Sequence, residues 1–407
     1  MRIEETWLSS EIRIVHVNIP KLQSAHLGVF VQTGSRNEPT HLAGISHFIE
    51  HMVFKGTQRR NSFHILNRLD SVGGDLNAYT SKEETVYHAS FISKYYDRAM
   101  ELLADLVLNP TFPDAEVEKE REVILEEFRT YKDMPSENIF DEFDEMLFPN
   151  EPFGKNILGS PKSLKLIHKK ELADFHRQRY FALPLVICSV GKISLQRLAA
   201  LVKKYFDNFK TVPDALSFPK PTLSAPFHHT ISKKSVQQHI VLGCESFPSQ
   251  HAKSITFNFI NNILGGPAMN SRFNLGIREK YGLTYQLDSH YQAHSDIGFF
   301  TVYASTDKKT ANRVVELIFK EIEKMKTIKM GVLQLSQAKN QYIGQMLLNR
   351  EQGQNLMLAI GKAAMFKERL ESFEEIIQKI TQISASNILE TANEIFKKDQ
   401  FYQLHYQ

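Results

Sequence analysis

The sequence predicts an α+β protein: two homologous α/β domains, each a mixed sheet packed with helices, related by duplication and joined by a proline-rich linker. Three observations carry this expectation. Strand-like runs alternate with long helical runs through the first half of the chain. The segment "TVPDALSFPKPTLSAPF" (211–227) then places Pro213, Pro219, Pro221 and Pro226 close together, a density that resists both helix and sheet. Finally, "HFIEHMVFKG" (47–56) lies on "NFINNILGGP" (258–267) without a gap, and "NSF" (61–63) nearly meets "NSRF" (270–273). The period of about 210 residues is long for a solenoid and natural for two domains. The expected domains are 1–209 and 228–407, with 210–227 as the linker.

Taken in order, residues 11–19 and 25–33 alternate apolar and polar with β-branched residues and read as paired strands. From about Thr40 the spacing becomes helical, with Ile45, Phe48, Ile49, Met52 and Val53 apolar, and it ends before Gly56. "NSFHILNRLDSVGG" (61–74) is a capped helix stopped by Gly73 and Gly74, and "LNAYTS" (76–81) and "TVYHASF" (85–91) are strands. Helices are expected over 94–108, 114–131, 136–148, 161–178 and 194–208, with a strand at 184–190. The methionines and leucines of 346–367 recur at helical spacing and predict core or interdomain packing.

At 407 residues the chain can bury two substantial cores. Forty-nine basic and 46 acidic residues leave a formal charge of +3, so nothing electrostatic asks for nucleic acid or an anionic membrane. The first twenty residues lack the apolar run of a signal peptide, and no window reaches membrane-spanning length without charges. A cytoplasmic or similar soluble compartment is the expectation. Cys188 and Cys244 lie in apolar strand-like runs and read as buried free thiols.

"HFIEH" (47–51) carries the chemistry. On a helix, residues four apart lie about 40° from each other, so His47 and His51 share a face, with Glu50 beside them. Two imidazoles so placed can reach one zinc ion, and the glutamate stands next to it without having to ligate it. Such a set has the parts for metal-assisted hydrolysis but lacks a third protein ligand. In "EKEREVILEEFRT" (118–130), Glu120 and Glu127 are seven apart and fall on one face, to which Val123 and Ile124 are also assigned. Carboxylates on an apolar face need a compensating cation. Glu116, Glu118, Glu122 and Glu126 read as a solvated face, though Glu126, adjacent to Glu127, competes as a ligand. His16, His26, His41, His64 and His88 are scattered and read as ordinary histidines.

Together, "HFIEH", Glu127 76 residues beyond His51, and "LNAYTSKEETVYH" between them resemble the pitrilysin and mitochondrial-processing-peptidase family of zinc metallopeptidases, the inverzincins. The resemblance spans essentially the whole chain and matches the short, two-repeat members. It implies zinc ligation by His47, His51 and Glu127, with Glu50 as the general base that activates zinc-bound water. Glu120 matches a further family glutamate that supports the site. Asn77 and Ala78 would offer main-chain groups to an extended substrate, and Arg278 and Tyr285 of "REKYGLTY" would reach the substrate carbonyl. Under the repeat alignment His47, Glu50 and His51 face Asn258, Asn261 and Asn262, so only the first half holds the metal motif.

The expected function is zinc-dependent endopeptidase action on unfolded peptides or presequences in an enclosed chamber. Zinc motif and Arg/Tyr pair in one chain favour a homodimer, with a related partner chain as the alternative. No long glycine-rich loop is present; "LGGPAMNS" (264–271) comes nearest. A rival reading is a non-catalytic scaffold related to respiratory-complex core subunits, against which the intact HxxEH argues. A dedicated maturase for one precursor stays open as a second.

Overall fold

A computed structural model describes residues 2–212 and 220–407. The first unit comprises residues 2–129, 150–212 and 348–372; the second comprises 130–149, 220–347 and 373–407. In the first run β1 (Ile3–Leu8), β2 (Ile12–Asn18), β3 (Ser24–Val31), α1 (Ile45–Met52), α2 (Ser62–Asp70), β4 (Asp75–Thr80) and β5 (Thr85–Ile92). There follow α3 (Tyr96–Leu108), α4 (Asp114–Lys132), α5 (Pro135–Leu147), α6 (Pro161–Leu164), α7 (Lys169–Arg179), β6 (Leu185–Gly191) and α8 (Leu195–Phe206). The second half holds β7 (His228–Ile231), β8 (Gln238–Ser246), α9 (Ser254–Gly265), a π-type turn over Asn274–Glu279, β9 (Thr284–Ala293) and β10 (Gly298–Thr306). It ends with α10 (Ala311–Thr327), α11 (Val332–Glu351), α12 (Gly353–Phe366), α13 (Phe373–Gln382), α14 (Ala385–Ile395) and β11 (Tyr402–Tyr406).

The two sheets share one topology. The first is ordered β1-β2-β6-β3-β5-β4 and the second β7-β11-β8-β10-β9. In each, one parallel pair (β2 with β6, β7 with β11) is followed by antiparallel neighbours in the same order. Only β1 is extra; its pattern carries no apolar alternation, and it exists because β2 offers an edge to pair with.

Strand alternation divides the sheet faces. Ile12, Ile14, Leu27, Val29 and Ile187 meet α1, α3 and their neighbours, while Val15, Val17, Phe30, Val186 and Cys188 meet Leu356, Met357 and Ile360 of α12. Close approach of α12 depends on Gly28, where a Cβ would meet Met357 Sδ at 2.7 Å. In the second unit Ile240, Leu242 and Cys244 face α9, α10 and α14. On the opposite face Phe143 of α5 packs over Gly243, and Asn138 of α5 donates to Tyr406 Oη at 2.7 Å. Helices α5 and α12, each lying between the same two neighbours of its repeat, have thus changed units.

The division therefore departs from a single cut between 209 and 228: residues 130–149 and 348–372 each pack on the sheet of the other half. Of the expected linker, 213–219, with Pro213 and Pro219, lie outside the described residues. Ser224 N donates to Leu147 O at 2.9 Å, so residues beyond Pro221 already belong to the second unit. The helix expected over 161–178 is broken: Arg121 Nη1 of α4 takes the carbonyls of Leu164 and Ile167, ending α6. Both cysteines are buried free thiols, and burial pushes each well up.

Candidate metal centre

The motif helix starts at Gly44, whose φ of 95° suits glycine and where a Cβ would meet the Leu158 carbonyl oxygen at 2.7 Å. Ile45, Phe48, Ile49 and Met52 of α1 are buried in the first core, and the remaining face carries His47, Glu50 and His51. The His47 and His51 rings lie 4.5 Å apart between centroids. Glu127 comes from α4, with Oε2 3.9 Å from His47 Nε2 and 3.7 Å from His51 Nε2. One donor atom from each of these residues lies within 4.8 Å of the others, and no other such group occurs among the described residues.

The adjacent acid is placed differently. Glu126 is exposed and pairs with Arg129 at 3.0 Å, so of the two acids the geometry brings Glu127 to the histidines. Val123, assigned to the inner face from its spacing, is 50% exposed, whereas Ile124 is fully buried. One residue's rotation of about 100° separates them on the helix.

Glu120, one heptad before Glu127, is buried; its Oε1 accepts from His51 Nδ1 at 3.0 Å and its Oε2 pairs with Lys55 Nζ at 2.7 Å. Burial pushes its carboxyl up, but the His51 and Lys55 hydrogen bonds and the Lys55 charge outweigh it and hold the group below the usual carboxylate range. Glu120 thereby orients the His51 ring and leaves Nε2 facing Glu127. Lys55 lies four residues past His51, in the turn that follows α1, a spacing visible in the sequence. His47 is 8% exposed, and burial with the neighbouring His51 pushes it down to about 3, so the imidazole is neutral and able to ligate at neutral pH. Its Nδ1 is buried without a hydrogen-bond partner.

Glu50 is half-buried, and its carboxyl is raised chiefly by burial, with the Glu127 charge adding; the Thr80 hydroxyl and His51 oppose this. Thr80 ends β4, the edge strand that also carries Asn77 and Ala78. The Ala78 amide donates to Asn77 Oδ1 at 2.9 Å. Arg278 and Tyr285 belong to the second unit: Arg278 Nη1 donates to Asn274 Oδ1 at 3.4 Å, and Tyr285 stands 62% exposed on the edge strand β9. Of the other histidines, His16 bridges the Ser189 and Ile193 carbonyls and His26 bonds Ser90 Oγ at 2.8 Å, as ordinary satisfied side chains do.

The set fits a zinc ion. Two neutral imidazole nitrogens and one carboxylate oxygen are its usual donors, and ligands at about 2.0–2.1 Å around a tetrahedral ion are about 3.4 Å apart, within half an ångström of the 3.7 and 3.9 Å found. Among the described residues no helix is long and apolar enough to cross a membrane.

Similarity to known proteins extends over most of the chain. Residues 13–161 match the model of the insulinase family, peptidase family M16, and residues 167–342 match that of the peptidase M16 inactive domain. An uncharacterised zinc protease of Rickettsia felis is 33% identical over 96% of this chain and 94% of its own length. The uncharacterised zinc protease YmxG of Bacillus subtilis is 30% identical over 95% and 94%. Among solved structures, a protease from Helicobacter pylori superposes with a TM-score of 0.92 at 22% identity, covering 100% of this chain and 99% of that one. A peptidase M16 inactive domain from Pseudomonas fluorescens has the same TM-score at 19% identity, covering 100% and 98%; at such identities the likeness shows the fold.

Proposed function

Since the chain belongs to peptidase family M16, we propose that it is a zinc-dependent endopeptidase acting on unfolded peptides or presequences in an enclosed chamber. The observation that carries this reading is the convergence of His47, His51 and Glu127 within 4.8 Å, with the raised carboxyl of Glu50 on the same helix. His47, His51 and Glu127 hold the ion. When bound, zinc supplies Lewis acidity that polarises a carbonyl and brings the pKa of water toward about 7.

Glu50 then acts as general base, taking a proton from the attacking water and returning it to the amide nitrogen of the departing peptide. A carboxyl raised by burial above the usual carboxylate range holds its proton more firmly than an ordinary one, which suits a general base. Glu120 keeps the His51 ring turned to the ion. The free edge of β4 at Asn77 and Ala78 pairs with the main chain of an extended peptide, which suits tolerance of many sequences. Arg278 and Tyr285 bind the substrate carbonyl, and two chains form a cytoplasmic homodimer around the chamber.

The test compares wild type with Glu50→Gln for zinc content and for cleavage of a mixed peptide library. About one zinc per chain is expected in both, with hydrolysis lowered on the order of 10²-fold or more in the variant. A wild-type protein that holds no zinc and cleaves nothing overturns the reading.

A further inference from the structure

Glu38 lies in the irregular segment between β3 and α1 and is 4% exposed. Its Oε2 accepts from Gly44 N at 2.7 Å and its Oε1 from Ser46 N at 2.8 Å. These amides stand at the start of α1, among the donors that a helix leaves without an intrahelical partner. Gly44 has no side chain to cap them, so the cap comes from six residues upstream. A negative group there also meets the positive end of the helix dipole.

The helix so anchored has eight residues, too few to hold a register by its own hydrogen bonds. His47 follows Ser46 directly. A start displaced by one residue would turn His47 and His51 by about 100° away from Glu127.

The same segment grips the far wall of the site. Ser35 N donates to Ser81 O at 3.0 Å, Arg36 N donates to Lys82 O at 2.9 Å, and buried Arg36 pairs with buried Glu83 at 2.5 Å. Gly34 lies so close to the backbone of Ser81 and Glu83 that a Cβ has no room. Residues 81–84 form the turn between β4 and β5, so one short stretch of chain holds both the motif helix and the end of the edge strand. Burial pushes the Glu38 carboxyl up to about 7, against the pull of the two amides and of Lys82. An apolar residue would avoid that cost but would leave two buried amides without acceptors.

We propose that Glu38 is a positioning residue of the metal centre: it fixes the register of α1 and, through Gly34–Asn37, locks that helix to the β4–β5 turn. The proposal rests on the zinc reading above.

The test uses the full-length protein in four forms. Glu38→Gln keeps one acceptor and sets a donor against an amide; Glu38→Asp shortens the reach; Tyr96→Phe removes a buried hydrogen bond to Ser189 Oγ elsewhere in the same unit. Each is compared with wild type by thermal unfolding, by zinc affinity in competition with a chromophoric chelator, and by the visible spectrum after cobalt(II) loading, which reports ligand geometry. Glu38→Gln is expected to bind zinc about 10- to 100-fold more weakly, with an altered cobalt spectrum. Its kcat falls while KM for a short peptide stays within about twofold. Glu38→Asp moves in the same direction by less, and Tyr96→Phe melts lower with wild-type affinity and spectrum.

A Glu38→Gln protein that melts lower yet keeps wild-type zinc affinity and cobalt spectrum overturns the positioning role. Should that variant fail to fold, Glu38→Asp decides by the same criteria. Wild-type protein that takes up neither zinc nor cobalt overturns the zinc reading, and this proposal with it.

Discussion

The α1/α4 pair of the first unit and the α9/α11 pair of the second are the same scaffold carrying different chemistry. Glu127 and Gln345 are each the fourteenth residue of their helix, and each meets the position that the repeat alignment makes equivalent, His51 and Asn262. In the first unit the partners stand 3.7 Å apart, donor atoms facing donor atoms; in the second, Asn262 Nδ2 donates to Gln345 Oε1 at 2.8 Å. Amides satisfy one another and ask for no cation, while imidazole and carboxylate held beyond hydrogen-bond distance do. Asn261, opposite Glu50 in the alignment, accepts from Ser289 Oγ at 2.8 Å and has no proton to trade near neutral pH. Ala338 stands seven residues before Gln345, where Glu120 stands before Glu127. The packing of a helix pair thus does not by itself require the site it frames in the first unit.

Changing the first unit toward the second gives the largest effect. His51→Asn is expected to lose zinc affinity by more than about a hundredfold, beyond the cost of losing an outer partner, and to abolish hydrolysis. Retained zinc in dialysed protein would remove His51 from the ligand set.

Acid tests whether the two scaffolds answer alike. His176 in the first unit and His405 in the second are buried and pushed down to about 4, in both chiefly by burial. Each binds its proton more readily unfolded, near pH 6.5, than folded, near pH 4. Stability is therefore complete above about pH 6.5 and falls as pH drops toward 4, by on the order of 3 kcal/mol for each histidine. Calorimetry between pH 7.5 and 4 checks this, and a flat profile contradicts it.

Glu120→Ala, which copies Ala338, is expected to weaken zinc about 10- to 100-fold by freeing the His51 ring, with the fold intact by circular dichroism. The reverse conversion is the subtlest. Asn258→His, Asn262→His and Gln345→Glu together are expected to add a second zinc per chain, bound more than about tenfold more weakly because no carboxylate orients the new imidazole. A folded triple variant that still binds one zinc shows that the second scaffold has drifted too far to form a site.

In the first half of the chain periodicity located most strands and helices within a residue or two, because burial of one face imposes a local pattern. It missed β1, whose residues show no such face, and it joined α6 to α7, because the break comes from Arg121 reaching in from α4. The motif on α1 was legible because three functional side chains fall within five residues. Glu38 was not: it acts from an irregular segment, where no period marks it.

The sequence by itself determined that the fold is repeated, that only its first copy carries HxxEH, and which helix face bears the histidines. These follow from residue order and the fixed pitch of a helix. Tertiary structure alone decided that α5 and α12 pack on each other's sheets and that Glu38 caps the motif helix, and it brings to the histidines the Glu127 that the family resemblance had named. Each joins residues distant in the chain or outside any regular element, and such contacts are set by how packed surfaces close on one another.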